Sequence, residues 1–102
     1  PQAISKYNDI RIREGMVISN EPGFYKKGKF GIRIENLVYV KKVKGKLIFE
    51  NLTLAPIEKE LINFKQLNEK EKNYLFHYHL EVYSKISKFL NRSEKKWLAS
   101  FI

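Results

Sequence analysis

The sequence predicts an α+β fold in which the strands precede the helices along the chain. Up to Pro56, short apolar runs are separated by glycine and proline, a pattern typical of strands joined by tight turns. Beyond Pro56, apolar residues recur at helical spacing instead. We therefore expect a strand-rich part over residues 1–56 and a helical part over residues 57–102.

The limits of the predicted strands follow from the turn residues. Pro22-Gly23 and Gly45 mark turns, and Pro56 ends the last strand because proline has no N–H to donate to a sheet. The segments on either side of Gly45 are expected to pair as a β-hairpin. In chain order, the predicted extended segments are residues 1–10, Gly15–Asn20, Phe30–Lys44 and Leu47–Leu54.

Two helices are predicted in the second part. Asn68 is followed three residues later by Glu71, which is the spacing of a capping box at a helix start. Ser93 is expected to cap the second, shorter helix. The first helix should run to about Leu90, with an apolar face made of Leu75, His79, Val82, Ile86 and Phe89. The apolar side of the second should hold Trp97, Leu98 and Phe101.

Composition narrows the range of functions. A hydrophobic content of 43% excludes a disordered chain. The net charge of +9 raises the question of nucleic-acid binding, but many of the lysines fall in turns between strands, where they are solvated and protect sheet edges. The absence of cysteine excludes thiolate metal sites and suits a reducing compartment. No apolar run reaches the roughly eighteen residues of a membrane span. Neither nucleic acid nor a membrane is an expected partner.

Two glutamates are the most informative residues for function. Glu21 ends the strand that precedes Pro22, and Glu35 lies within the predicted strand Phe30–Lys44. An ionised side chain in a buried strand is costly unless it is paired or bound to a metal ion. Because side chains alternate between the two faces of a strand, Arg33 and Glu35 share a face. We expect Glu21 and Glu35 side by side on one face of a sheet, with Arg33 close to Glu35.

The two histidines, His77 and His79, are weak candidates for a metal site. Two positions apart on a helix, their side chains point about 200° away from each other around the axis. They cannot then bind one ion together, and we expect structural or surface roles for both.

Two motifs carry a resemblance to a known family. They are Glu21-Pro22-Gly23-Phe24-Tyr25 and Phe30–Asn36 (Phe-Gly-Ile-Arg-Ile-Glu-Asn), and their glutamates are fourteen residues apart. In this order and spacing they resemble the last two conserved blocks of the X-prolyl aminopeptidases (aminopeptidase P), metallopeptidases of the pita-bread fold. Further segments that resemble the same family are Pro1–Ser5, Asn51–Ile57, Tyr78–Leu80 and Trp97-Leu98. The last two of these resemble the helical tail of the family's long, eukaryotic-type branch.

The resemblance implies a division of the chain and a set of site residues. Residues 1–56 would be the C-terminal portion of a pita-bread catalytic domain, and residues 57–102 a helical C-terminal extension. The family builds a dinuclear site from two aspartates, one histidine and two glutamates, of which only the glutamate positions occur here. By resemblance, Glu35 bridges two divalent metal ions, whereas Glu21 binds one of them and helps to move a proton at the catalytic water. Arg33 would orient a ligand carboxylate.

The function implied by the resemblance is that of a cytoplasmic aminopeptidase that removes the N-terminal residue preceding proline from peptides. Its metal ions would be Mn²⁺ or Zn²⁺, and an oxygen-rich ligand set favours manganese. The chain corresponds to a C-terminal fragment of such an enzyme. With three of five ligands lacking, we expect it to be inactive and without metal on its own.

Two other functions stay open at this point. Residues 57–102 could form a non-catalytic helical interaction or dimerisation module, with the strands only carrying them. A basic nucleic-acid-binding protein is the third hypothesis. We also expect self-association as a homodimer or larger assembly, because the sheet would present apolar faces that nothing covers.

Overall fold

Strands fill the first half of the chain and helices the second, which confirms the predicted α+β class. The computed structural model describes residues 4–102, so the first three residues of the predicted extended lead-in lie outside the described part. The chain divides into two compact units, the strand unit Pro1–Thr53 and the helical unit Leu54–Ile102. Among the helices of residues 4–102, none is both long and apolar enough to cross a membrane.

From residue 4 onwards, the strand unit contains two antiparallel sheets. A three-stranded sheet has the order β1-β4-β5, and a two-stranded sheet consists of β2 and β3. The described part of the lead-in begins with a turn, in which the Asn8 N–H donates to the Ser5 carbonyl at 3.4 Å. The strands are β1 (Val17–Asn20), β2 (Gly23–Lys26), β3 (Phe30–Arg33), β4 (Asn36–Val43) and β5 (Lys46–Asn51).

The predicted long strand Phe30–Lys44 is wrong, because it is divided into β3 and β4, which belong to different sheets. The segment Gly23–Lys26, which follows the predicted Pro22-Gly23 turn, is itself a strand. One antiparallel register nevertheless runs through both sheets, since Asn20 pairs with Asn36 and Gly23 with Arg33. The ladder breaks at Pro22, which has no N–H to donate.

Two tight features determine how the first sheet is built. Lys44 and Gly45 both have positive φ, 48° and 78°, as the two central residues of a type I′ hairpin turn require. The turn predicted at Gly45 is therefore present. Gly15, with φ 86°, donates its N–H to the Val40 carbonyl at 2.8 Å, while the Val40 N–H donates to the Met16 carbonyl at 2.8 Å. Two residues thus oppose one, which is a β-bulge with glycine in the left-handed position.

The core of the strand unit lies on one face of β1 and β4. Its buried residues are Ile18, Val38 and Val40, with Ile12 and Met16 packed against them. In contrast, every residue of β2 and β3 is exposed. Their apolar side chains, Phe24, Phe30 and Ile32, lie on the same side of the hairpin, where the rings of Phe24 and Phe30 are 6.0 Å apart.

The helical unit contains α1 (Glu69–Ile86) and α2 (Arg92–Ala99), together with three short 3₁₀ turns. The capping box predicted at Asn68 is present, since the Glu71 N–H donates to Asn68 Oδ1 at 3.0 Å and the Asn68 N–H to Glu71 Oε2 at 2.9 Å. The second cap differs from the prediction. Asn91 rather than Ser93 caps α2, through a second capping box with Glu94.

The helical core forms between α1, α2 and the segment before α1. Its buried residues are Tyr78, Val82 and Leu98, and the residues around them are Ile57, Tyr83, Ile86 and Leu90. The predicted apolar face extends too far, because Phe89 is 74% exposed. The α-helix ends at Ile86 and a 3₁₀ turn follows. Since a 3₁₀ turn has three residues rather than 3.6, the apolar stripe loses its phase there.

Trp97 is also more exposed than predicted, at 58%, whereas its neighbour Leu98 is buried. The indole packs edge-on against Phe101 with ring centroids 5.2 Å apart. The buried side of α2 is therefore narrower than the apolar side read from the sequence.

Candidate metal centre

Glu21 and Glu35 face each other across the break between the two sheets. The register that pairs Asn20 with Asn36 on one side of the break pairs Gly23 with Arg33 on the other. When this register is continued through the break, Glu21 stands opposite Glu35. Directly opposed residues of an antiparallel pair project from the same face. The two carboxylates therefore share one face of the hairpin.

The position of this pair in the ladder brings the two side chains close. The Ile34 N–H donates to the Pro22 carbonyl at 3.1 Å, so Pro22 and Ile34 occupy a hydrogen-bonded position. Hydrogen-bonded and non-hydrogen-bonded pairs alternate along an antiparallel ladder. Glu21 and Glu35 thus fall at a non-hydrogen-bonded position, where Cα atoms are about 4.5 Å apart and side chains lie nearest each other.

Arg33 forms an ion pair with Glu21. Its Nη1 donates to Glu21 Oε2 at 3.0 Å. Gly23 stands directly opposite Arg33 and has no side chain, so the guanidinium can reach diagonally to Glu21. Arg33 was expected close to Glu35, whose charge acts on it, but its hydrogen bond goes to Glu21, the glutamate on the other strand.

The surroundings of Arg33 favour its charged form. The hydrogen bond to Glu21 is the main cause that raises the pKa of Arg33 above its ordinary value, and the Tyr25 hydroxyl and the charges of Glu21 and Glu35 act in the same direction. Glu35 thus acts on Arg33 through its charge. Arg33 remains a cation that is hydrogen-bonded to Glu21 and attracted by the charge of Glu35.

A second donor reaches Glu21 from its own strand. The Ser19 hydroxyl donates to Glu21 Oε1 at 3.1 Å. The sequence reasoning did not single out Ser19, although the signal was present, since a residue two positions earlier in a strand lies on the same face.

Tyr25 covers the backbone next to this site. A Cβ atom added to Gly31, directly opposite Tyr25, would lie 2.6 Å from the tyrosine ring. One added to Gly23 would lie 2.7 Å from the tyrosine hydroxyl. A side chain at either position would therefore displace the Tyr25 ring from its place. The two glycines of the motifs leave room for Tyr25 on the same face as Glu21 and Arg33.

The expectation that the glutamates lie in buried strands is wrong. The Glu21 side chain is 43% exposed and that of Arg33 51%. Arg33 ends β3 and Glu21 lies just before β2, and both of these strands are exposed along their whole length, so water solvates the ion pair. Such a pair contributes little to stability. The arrangement therefore depends on register and side-chain hydrogen bonds rather than on burial.

The donor set of this face fits part of a divalent metal site. Two carboxylates on one face supply the anionic oxygens that Mg²⁺ and Mn²⁺ prefer. Within residues 4–102, however, no group of three or more histidine, cysteine, aspartate or glutamate side chains is close enough to hold an ion. A complete site needs further ligands beyond this pair.

The histidines take no part in this face. The His79 ring is buried, and its Nε2 accepts the Ile57 N–H at 3.1 Å. Burial lowers the pKa of His79, so the neutral ring serves as a structural acceptor inside the helical unit. His77 is exposed and contacts Phe76 edge-on, with ring centroids 5.3 Å apart.

Comparison with known proteins identifies the family of this chain. The model of metallopeptidase family M24 matches residues 1–42, and that of the C-terminal region of peptidase M24 matches residues 45–100. The probable Xaa-Pro aminopeptidase P of Laccaria bicolor is 45% identical in an alignment of 101 positions, which covers 89% of this chain and 16% of that protein. The probable Xaa-Pro aminopeptidase P of Coprinopsis cinerea is 42% identical, over 96% of this chain and 18% of that protein.

A solved structure has the same fold. The X-prolyl aminopeptidase from Caenorhabditis elegans, described as a cytosolic enzyme with a di-nuclear active site, superposes with a TM-score of 0.79 and is 35% identical. The match covers 94% of this chain and 17% of that enzyme. The chain thus spans less than a fifth of the length of the relatives it matches. It belongs to metallopeptidase family M24, in which it corresponds to the C-terminal part of the X-prolyl aminopeptidases.

Proposed function

We propose that this chain contributes two ligand carboxylates, Glu21 and Glu35, to the dinuclear metal centre of an Xaa-Pro aminopeptidase. The enzyme would remove the N-terminal residue that precedes proline from peptides. The observation that supports this most is the shared register, which, extended through the break at Pro22, brings the two glutamates opposite each other on one face, with Arg33 hydrogen-bonded to Glu21. Membership of the family supports it independently.

The residues of this chain would have different roles in that centre. Glu35 would be a ligand shared by both ions, since only an anionic oxygen group can share charge with both. Glu21 would bind one ion and accept or return a proton at the attacking water. Arg33 would hold the Glu21 carboxylate in place and offset part of its charge. When bound, the metal ions would supply a water activated as nucleophile and a polarised scissile carbonyl.

Oxygen ligands favour manganese over zinc as the metal. The relative from Caenorhabditis elegans is described as cytosolic, and we extend a cytoplasmic location to this protein on that basis. The 102-residue chain by itself would be inactive towards Xaa-Pro peptides, since two carboxylates alone bind a divalent ion weakly.

A segment exchange tests this proposal. The matching segment of the Caenorhabditis elegans enzyme is replaced by this chain, and release of the first residue from an Xaa-Pro peptide is measured with Mn²⁺ and with Zn²⁺. We expect the chimera to be active, and E21Q or E35Q to lower kcat at least about a hundredfold, as expected for loss of a metal ligand.

E50Q is the matched control for the segment exchange. Glu50 is an exposed, ion-paired glutamate of β5, with its carboxylate 3.0 Å from Lys41 Nζ. Its replacement should leave kcat nearly unchanged. A folded chimera in which E21Q and E35Q retain full activity would contradict the proposal.

A second function, self-association through the helical unit, is favoured by its exposed aromatic side chains. Tyr74, Phe89 and Trp97 are all largely exposed, and aromatic residues of this kind are enriched at subunit contacts. We propose a homodimer contact on this unit. Sedimentation of the full chain tests it: F89S and W97S should shift the equilibrium towards monomer, whereas an unchanged equilibrium would contradict it.

A further inference from the structure

We propose that Ser19 is a positioning residue for the Glu21 carboxylate, a role that rests on the proposed metal-ligand function of Glu21. Both carboxylate oxygens of Glu21 are hydrogen-bonded, and the two donors come from different strands. Ser19 Oγ donates to Oε1 at 3.1 Å, and Arg33 Nη1 donates to Oε2 at 3.0 Å. Two donors at opposite oxygens restrict rotation of the carboxylate plane, which a single donor does not.

The strand geometry explains why a serine can do this. Residues two apart in a strand lie on one face about 6.6 Å from each other. The long glutamate side chain spans most of this distance, and the short hydroxyl closes the rest. Ser19 is itself held by backbone pairing, since it stands opposite Leu37 in the ladder between β1 and β4. The sheet therefore determines the position of Ser19, and the hydrogen bond from Ser19 in turn restricts the position of the Glu21 carboxylate.

Glu35 provides an internal comparison. It faces Glu21 across the break. The residue that stands opposite Ser19, two positions after Glu35, is Leu37, whose side chain has no hydrogen-bond donor. Within residues 4–102, the Glu35 carboxylate makes no hydrogen bond and interacts with Arg33 only through its charge. The hydroxyl thus holds one of the two carboxylates and leaves the other free to reorient.

The two donors to Glu21 differ in charge. A hydroxyl orients a carboxylate without adding positive charge beside it, whereas the guanidinium of Arg33 competes electrostatically with a metal cation. Ser19 can keep its hydrogen bond in the presence of a nearby cation at no electrostatic cost. We infer that Ser19 maintains the orientation of Glu21 when a divalent ion is present.

A matched pair of variants of the full chain tests this role. Threonine keeps the hydroxyl and suits a strand, and valine has nearly the same shape without it. In the metal-free chain, NMR three-bond couplings of Glu21 report its χ1 rotamer populations. We expect S19T to keep the single rotamer of the original chain and S19V to populate several. Glu35 should be unaffected in both, and unchanged amide shifts in β1 and β4 show that the sheet is intact.

Titration of the same variants with Mn²⁺, followed by paramagnetic broadening of the amide signals around Glu21, adds a second measurement. Loss of one neutral hydrogen bond should weaken Mn²⁺ binding about two- to tenfold in S19V and not in S19T. Unchanged Glu21 rotamers in S19V would overturn the proposal. If S19V changes the rotamers but E21Q leaves the segment-exchange enzyme fully active, the positioning role holds and the metal-ligand function of Glu21 is contradicted.

Discussion

The strand unit and the helical unit are held together in different ways. The helical unit buries Tyr78, Val82 and Leu98 against one another, and the Tyr78 hydroxyl donates to the Ala55 carbonyl at 2.6 Å. The strand unit buries three aliphatic residues on one face of its larger sheet, while the hairpin β2–β3 is exposed throughout. The candidate site residues thus lie in or beside an exposed hairpin. Their arrangement comes from strand register, whereas that of the helical unit comes from burial.

The comparison is tested most directly by one substitution made in each unit. Val40 and Val82 are both 1% exposed. We expect V82A to cost about 2–3 kcal/mol of unfolding free energy and V40A about 1–2 kcal/mol, because a cavity costs less where its walls can collapse. Guanidinium unfolding measures both, with the fluorescence of Trp97 reporting on the helical unit and hydrogen exchange of the Val40 amide on the strand unit. If both probes report the same loss of unfolding free energy in each variant, the two units unfold together.

The next largest effect is expected from pH, and only in the helical unit. Burial lowers the pKa of His79 below 6.5, so the unfolded chain binds a proton more readily than the folded one. The stability that comes from His79 is complete above about pH 6.5 and is lost as the pH falls towards the folded pKa. Protonation of Nε2 would also remove the acceptor of the Ile57 N–H.

Thermal unfolding at about pH 7.5 and about pH 5 measures this difference. In the original chain, the melting temperature of the helical unit should be lower at the acidic pH than at the higher one. The difference should be smaller in H79Q, whose amide oxygen can accept the same N–H. H77Q is the control, since His77 is exposed, and it should leave the pH dependence unchanged. The same pH dependence in H79Q and the original chain would rule out His79 as its origin.

A smaller, local effect is expected in the strand unit. G31A adds a methyl group 2.6 Å from the ring of Tyr25, so the ring must move. We expect a loss of about 1 kcal/mol from this overpacking, because the exposed hairpin can adjust. Nuclear Overhauser contacts between Tyr25 and the backbone of Gly23 should disappear. Their persistence in G31A would contradict the close packing of Tyr25 over both glycines.

The smallest effect is expected from ion pairs, which should contribute equally little in the two units. Lys41 pairs with Glu50 between β4 and β5 at 3.0 Å, and Lys85 with Glu81 along α1 at 2.5 Å. Both pairs are exposed, so E50Q and E81Q should each cost at most about 0.5 kcal/mol. Denaturant unfolding at low and high salt measures this. A larger loss in one variant would show that charge contributes to the difference between the units.

Features that depend on residues close together in the chain could be predicted from the sequence. The capping box at Asn68, the turn at Gly45 and the apolar face through Val82 each depend on residues within a few positions of one another. Ser93 was the wrong choice of cap although Asn91, with Glu94 three residues later, has the same spacing as Asn68 and Glu71. That signal was present in the sequence and was overlooked.

Other features could not be predicted, because they depend on residues far apart in the chain. Whether Arg33 pairs with Glu21 or with Glu35 depends on the register between two strands and on the missing side chain at Gly23. The division of the long strand into β3 and β4 depends on Pro22, which lies on the opposite strand. Neither can be read from the alternation within one strand.

The sequence by itself determined the fold class and the family, because hydrophobic periodicity and motif order are properties of the chain alone. The tertiary structure decided which charge neutralises which, how exposed the site is and where α1 ceases to bury its apolar stripe. These depend on register and on packing between distant segments, whose free energies arise only when those segments meet.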